Sequence, residues 1–137
     1  MTDDLRRALA NVQLAPGAAT AEQIARAESG MDCKLPEDVK ALLGEHDGGR
    51  GTLGPGKRPF ELWSIERIAE ECQAQEVTRA VPGLVLFASD GGSEGYGWLP
   101  DAPGDKYGRI PFLAAGPHEF EGLGNSFAAL VSSIAAG

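Results

Sequence analysis

Between Gly48 and Pro59 the chain places five glycines and two prolines in twelve residues, and this stretch restricts the fold more than any other. Glycine loses the most freedom on ordering, and proline has no amide hydrogen to give a ladder, so the segment argues against a helix and a central strand. It reads as an exposed loop. With 19 Gly and 9 Pro in 137 residues, the rest of the chain should also be rich in turns. Leu, Ile, Val and Phe together number 30, enough for one core and too few for two, so one domain over residues 1–137 is expected.

Five helical patterns can be placed, and no internal repeat interrupts them. Leu5, Leu9 and Val12 share a helical face that Pro16-Gly17 ends. Thr20 with Gln23 makes a capping box for a helix striped by Ile24, Ala27 and Met31, with Gly30 as its stop. Pro36 opens a third helix that buries Val39, Leu42 and Leu43, and Asp47-Gly48-Gly49 breaks it. Phe60 to Trp63 reads as a strand, and Ser64 caps a helix turning Ile65, Ile68, Ala69 and Cys72 inward. Leu84 to Ala88 is an unbroken apolar run that suits a strand covered on both faces. Tyr96 to Leu99 and Arg109 to Leu113 read as further strands joined by Pro100 to Gly108, and Pro111 puts the second at an edge. A last helix starts near Asn125 or Ser126 and buries Phe127, Leu130, Val131 and Ile134. Helices, a strand-rich middle and a closing helix make an α+β pattern.

Charge narrows the function. Twelve bases against twenty acids give a net charge of −8. Residues 1–60 hold nine acids and eight bases, whereas residues 61–137 hold eleven and four. That field repels phosphate backbones and anionic lipid, so direct nucleic-acid and membrane binding are not expected, and a basic protein is the natural partner. No apolar run reaches the roughly 18 residues of a membrane span, and Met1 to Leu9 carries acids and arginines where a signal peptide is apolar. A cytoplasmic protein is expected, with Cys33 and Cys72 as free thiols.

Three chemical motifs can be tested by spacing. Gly51 to Lys57 matches the first seven positions of a phosphate-binding loop, but Arg58 stands where a magnesium-binding hydroxyl is required, and Pro59 and a strand follow instead of a helix. Cys33 and Cys72 lack a nucleophile motif and read as small packing groups, and His46 reads as a C-terminal helix residue favoured by the helix dipole. The histidines are 72 positions apart and the acids do not follow a calcium-loop spacing, so no catalytic, metal or cofactor site is expected.

Residues 90–105 contain four acids and no base, interleaved with aromatic residues. Each acid taken alone is most simply a solvated surface group, and Trp98 serves equally as core. Taken together, Asp90, Glu94, Tyr96, Asp101, Asp105 and Tyr107 form the candidate contact surface for a basic partner.

The order of features also resembles a known superfamily. A helix ending near Glu28, then Leu35-Pro36, a second helix and Gly48-Gly49 match the opening of SUKH proteins, which include bacterial immunity proteins and fungal killer-toxin-resistance and cell-wall-assembly regulators. Leu62 to Glu66, Phe87 to Gly92 with Tyr96, and Ser126 to Leu130 resemble its later steps, so the likeness covers about residues 20–134. It implies an antiparallel sheet packed by helices and no catalytic residues. In the bacterial branch it implies neutralisation of a toxin, often a nuclease or deaminase, encoded by a neighbouring gene. The other branch implies a regulatory or scaffolding protein without a toxin partner. The family supplies no fixed partner-binding motif.

Overall fold

The computed structural model describes residues 2–137. Helix α1 (Asp3–Ala8) leads into β1 (Val12–Leu14), and α2 (Ala21–Met31) and α3 (Glu37–Leu43) precede the hairpin of β2 (Gly49–Leu53) and β3 (Arg58–Leu62). Helices α4 (Ile65–Ala74) and α5 (Glu76–Ala80) come next, followed by β4 (Val85–Ser89), β5 (Glu94–Trp98) and β6 (Tyr107–Pro111). A 3₁₀ turn (Pro117–Glu119), β7 (Glu121–Gly124) and α6 (Phe127–Ala136) close the chain. The strands form one sheet in chain order, and every neighbouring pair is antiparallel. This is an α+β fold, as the pattern of elements predicts.

Local chemistry sets the helix starts. Thr20 Oγ1 accepts from the Gln23 amide at 3.1 Å and Gln23 Oε1 accepts from the Thr20 amide at 2.8 Å, completing the capping box. Ser64 and Ser126 cap α4 and α6 through the amides of Arg67 and Ala129. Helix α2 runs past Gly30 to Met31 and ends at Asp32, which takes the left-handed conformation at φ 56°.

The stretch from Gly48 to Pro59 is not a loop but most of a hairpin. Gly49 and Gly51 pair with Leu14 and Val12, and β1 approaches so closely that a side chain at Gly49 would lie 2.8 Å from the Gln13 carbonyl. Close approach of a neighbouring backbone outweighs the usual penalty for glycine in a strand. Strand β1 also takes Val12 away from the first helix, which ends at Ala8. Likewise β6 is interior, between β5 and β7; Pro111 is tolerated because β7 pairs only with Tyr107 to Arg109. Strand β6 covers Tyr107–Pro111, shifted toward the N-terminus of the expected Arg109 to Leu113, and α5 and β7 are further elements with no periodic signal.

The core is aromatic where the last helix meets the sheet. Phe127 lies 6.3 Å from Phe60 and 5.8 Å from Phe87 between ring centroids, and Tyr107 sets its edge against Phe87. All five residues of β4 are buried, so both faces are covered; α4 packs along this strand and α2 packs on α4. Two carboxylates tie helices into place. Glu28, only 7% exposed, accepts from the Leu35 amide at 2.8 Å and pairs with Lys40 at 3.2 Å. Asp38 accepts from the Tyr107 hydroxyl at 2.7 Å and the Phe127 amide at 2.8 Å, joining α3 to β6 and α6.

Candidate functional site

The six residues expected to form one contact surface separate into three places. Tyr96 and Tyr107 are 4% and 6% exposed, so their rings belong to the core and not to an open contact surface. Tyr96 stands between Gly95 and Gly97 and Tyr107 between Lys106 and Gly108, so no apolar neighbour in the chain marks either as core, and it is the pairing of their strands that turns both rings inward. Tyr96 stacks on Phe60 at 5.9 Å. Burial raises the ionisation range of both hydroxyls, and the bond to Asp38 raises that of Tyr107 further.

Asp90 and Glu94 sit at the β4–β5 turn. Asp90 Oδ1 accepts from the amides of Gly92 at 2.8 Å and Glu94 at 3.3 Å, so this carboxylate shapes the turn. Glu94 lies 3.9 Å from Arg109, whose guanidinium also holds Glu121 through two hydrogen bonds of 3.0 and 3.2 Å. One guanidinium thus answers part of the charge of these carboxylates within the sheet.

Asp101 and Asp105 lie beyond the opposite end of β5, about 13 Å along the strand from Glu94 to Trp98 alone. Their loop is built by its own prolines and glycine. Leu99 donates to the Lys106 carbonyl at 2.8 Å and Ala102 to the Leu99 carbonyl at 3.0 Å, closing a turn that Pro100, Pro103 and Gly104 favour. Leu99 and Ala102 are each 4% exposed and anchor the loop from beneath. Asn125 clamps its base, accepting from the Lys106 amide at 3.0 Å and donating to Asp105 Oδ1 at 2.9 Å. Gly122 is required below it, because a side chain there would lie 2.8 Å from the Asp105 carbonyl.

This loop forms one wall of a cavity of about 440 Å³. Pro82 contributes from the turn before β4, and Pro117, His118, Phe120 and Gly122 contribute from the segment running into β7. Of the lining residues Leu99 and Ala102 are buried and Phe120 half-buried, whereas Asp101 and Asp105 are exposed, as are Pro82, Pro117 and His118. Asp101 makes no ion pair among the described residues. The convergence of Pro82, Pro117 and Phe120 on this loop carries no local sequence signal, since 35 positions separate Pro82 from Pro117.

A second cleft, of about 430 Å³, includes Arg50, Glu61, Trp63 and Arg67. Glu61 takes Arg67 at 2.8 Å and Arg50 at 3.4 Å, Arg67 also lies over the Trp63 ring at 5.1 Å, and Asp47 accepts from the Ile65 amide at 2.7 Å.

The remaining motifs take structural places. Gly51 to Lys57 spans the end of β2 and the hairpin turn and opens onto β3, not a helix, so the geometry of a phosphate-binding loop is missing. Cys72 is pushed up to about 11 by burial, and Cys33 is raised by burial and then by Asp32 and Glu28, which keeps both as thiols at neutral pH. His46 lies beyond α3, which ends at Leu43, so it is not a residue of that helix; its amide donates to the Leu42 carbonyl at 2.8 Å and its Nδ1 is 2.7 Å from the Ala15 carbonyl, which ties two loops. Among the described residues no group of three or more His, Cys, Asp or Glu side chains gathers as a metal ion would need. No helix of the described residues is long and apolar enough to cross a membrane.

Among curated proteins, none matches the chain. The family comparison does match, over residues 18–133, which takes in every strand from β2 to β7 and most of α6. The match covers nearly the same residues as the likeness carried by Glu28, Leu35-Pro36 and Gly48-Gly49, and on this evidence the chain belongs to the SMI1 / KNR4 family (SUKH-1).

Proposed function

We propose that this protein is an immunity protein that binds a basic bacterial toxin domain, of nuclease or deaminase type, and blocks it by occupying its active cleft. The observation that carries this reading is membership of the SUKH-1 family over residues 18–133, in a chain of net charge −8. A nucleic-acid-acting toxin needs a cationic cleft, and an acidic protein is its electrostatic complement. The reading requires no catalytic residue, metal or cofactor, and places the protein in the cytoplasm, where such a toxin would act.

Co-expression tests it directly. The toxin domain encoded beside this gene should arrest growth alone, and growth should return when this protein is co-expressed, with a stoichiometric complex on gel filtration. Raising ionic strength from about 0.05 to 0.5 M should slow association by roughly tenfold or more while changing dissociation less. Absence of any toxin gene nearby, with no growth protection, would support the regulatory reading of the family instead.

A further inference from the structure

We propose that the cavity between the β5–β6 loop and the segment before β7 receives a long cationic side chain, arginine or lysine, from the partner protein. The proposal rests on the immunity reading only for the identity of that partner. The cavity itself supplies the chemistry.

Buried Leu99 and half-buried Phe120 line the cavity, exposed Pro82 and Pro117 add apolar surface, and the side chains of Asp101 and Asp105 are exposed to solvent. A long basic side chain has two matching parts, with a methylene stem that gains from apolar burial and a charged head that stays near water. A neutral apolar side chain would leave the carboxylates unused, and an acidic one would meet them with like charge. At about 440 Å³ the space holds one such side chain and part of the backbone that carries it.

The carboxylates here differ from the others in residues 90–105. Asp90 is engaged by two amides of its own turn and Glu94 faces Arg109. Among the described residues Asp101 makes no ion pair, and Asp105 receives only the Asn125 side-chain amide, at one oxygen. The one ammonium on this loop, that of Lys106, donates to the Ala102 carbonyl and not to either aspartate. The surrounding half of the chain carries eleven acids against four bases, which draws cations toward this cavity.

The test uses the full chain and a defined probe. Acetyl-Gly-Arg-Gly-amide is titrated into ¹⁵N-labelled protein, with acetyl-Gly-norleucine-Gly-amide and acetyl-Gly-Glu-Gly-amide as controls. Saturable shifts should concentrate at the amides of Leu99, Ala102, Gly104, Phe120 and Gly122 with the arginine probe alone. The Asp101→Asn/Asp105→Asn variant should weaken binding by about fivefold to tenfold, whereas Asp90→Asn/Glu94→Gln should leave it within about twofold. Both aspartates are exposed and the asparagines keep an acceptor for Asn125, so the fold should be retained. Shifts spread evenly over all acidic positions, equal binding of the norleucine probe, or no saturable binding would each overturn the proposal. Growth protection is measured separately, so loss of this pocket and loss of the immunity role are distinguishable.

Discussion

Gly51 to Lys57 and Pro100 to Gly108 have a similar mix of glycine and proline, yet the structure uses them in opposite ways. The first is locked into the fold: Gly54 sits at φ 71° with the backbone of Ala135 against it, and Arg58, just beyond the turn, donates to the carbonyl of Gly137. The second is pinned at its two ends, by Leu99 and Ala102 on one side and by Asn125 and the Tyr107–Asp38 bond on the other, while Gly104 between them faces open space. Gly54, which supports the C-terminal helix, can accept no side chain, whereas Gly104, at the tip of the loop over the cavity, can. A segment's tolerance is set by what approaches it, not by its composition.

The strongest way to break this contrast is Gly54→Ala. A methyl group there needs a left-handed conformation and meets Ala135 backbone that cannot swing away, so stability should fall by about 3 kcal/mol or more, read from urea unfolding. An unchanged midpoint would mean that the turn is as loose as the other loop.

Next in size is Asp38→Ala, which tests how the far end of the cavity loop is pinned. It leaves the Tyr107 hydroxyl and the Phe127 amide without their acceptor and should cost about 2 kcal/mol. If Asp38→Asn restores less than half of the loss, the charge as well as the bond matters.

Alkaline pH acts on the core, at Cys72 on α4 and at Tyr107 where the second segment joins β6. Burial raises Cys72 from 9.0 to about 11, and burial with the Asp38 bond raises Tyr107. Groups raised on folding add stability that is fully present below their unfolded ionisation range and is lost as pH rises through the folded one. Stability should therefore decline above about pH 9, by at most about 1.4 kcal/mol per pH unit for each group. Cys72→Ala should cost about 1 kcal/mol at pH 7, and its deficit against the parent should shrink by about 1–2 kcal/mol by pH 10.5. A constant deficit across that range would show that the thiol titrates alike in both states.

The smallest effect is expected at Gly104→Ala. Nothing lies within 4 Å of the added methyl group, so stability should stay within about 0.5 kcal/mol of the parent or rise slightly. A loss comparable to that of Gly54→Ala would erase the contrast.

Much of the fold was legible because its signals are local. Thr20 with Gln23, Ser64 and Ser126 announce helix starts through bonds made within three residues, and the helical stripes from Val39 to Leu43 and from Phe127 to Ile134 carry their own periodicity. The run from Leu84 to Ala88 announces a doubly covered strand. The candidate site was legible only in part. Asp101 and Asp105 could be named from charge, but their separation from Asp90 and Glu94 depends on which end of β5 each reaches, and the inward turn of Tyr96 and Tyr107 depends on register.

By itself, then, the sequence determined the helices with their caps, the buried central strand, the α+β class, the acidic field and the family likeness, all of which depend on neighbours in the chain or on totals. Only the tertiary structure decided that Gly49 and Gly51 belong to a strand, that β6 is interior despite Pro111, and that Pro82, Pro117 and Phe120 meet the acidic loop around one cavity. Those outcomes rest on contacts between residues far apart in sequence, where the approach of another backbone or side chain overrides the local preference of each residue.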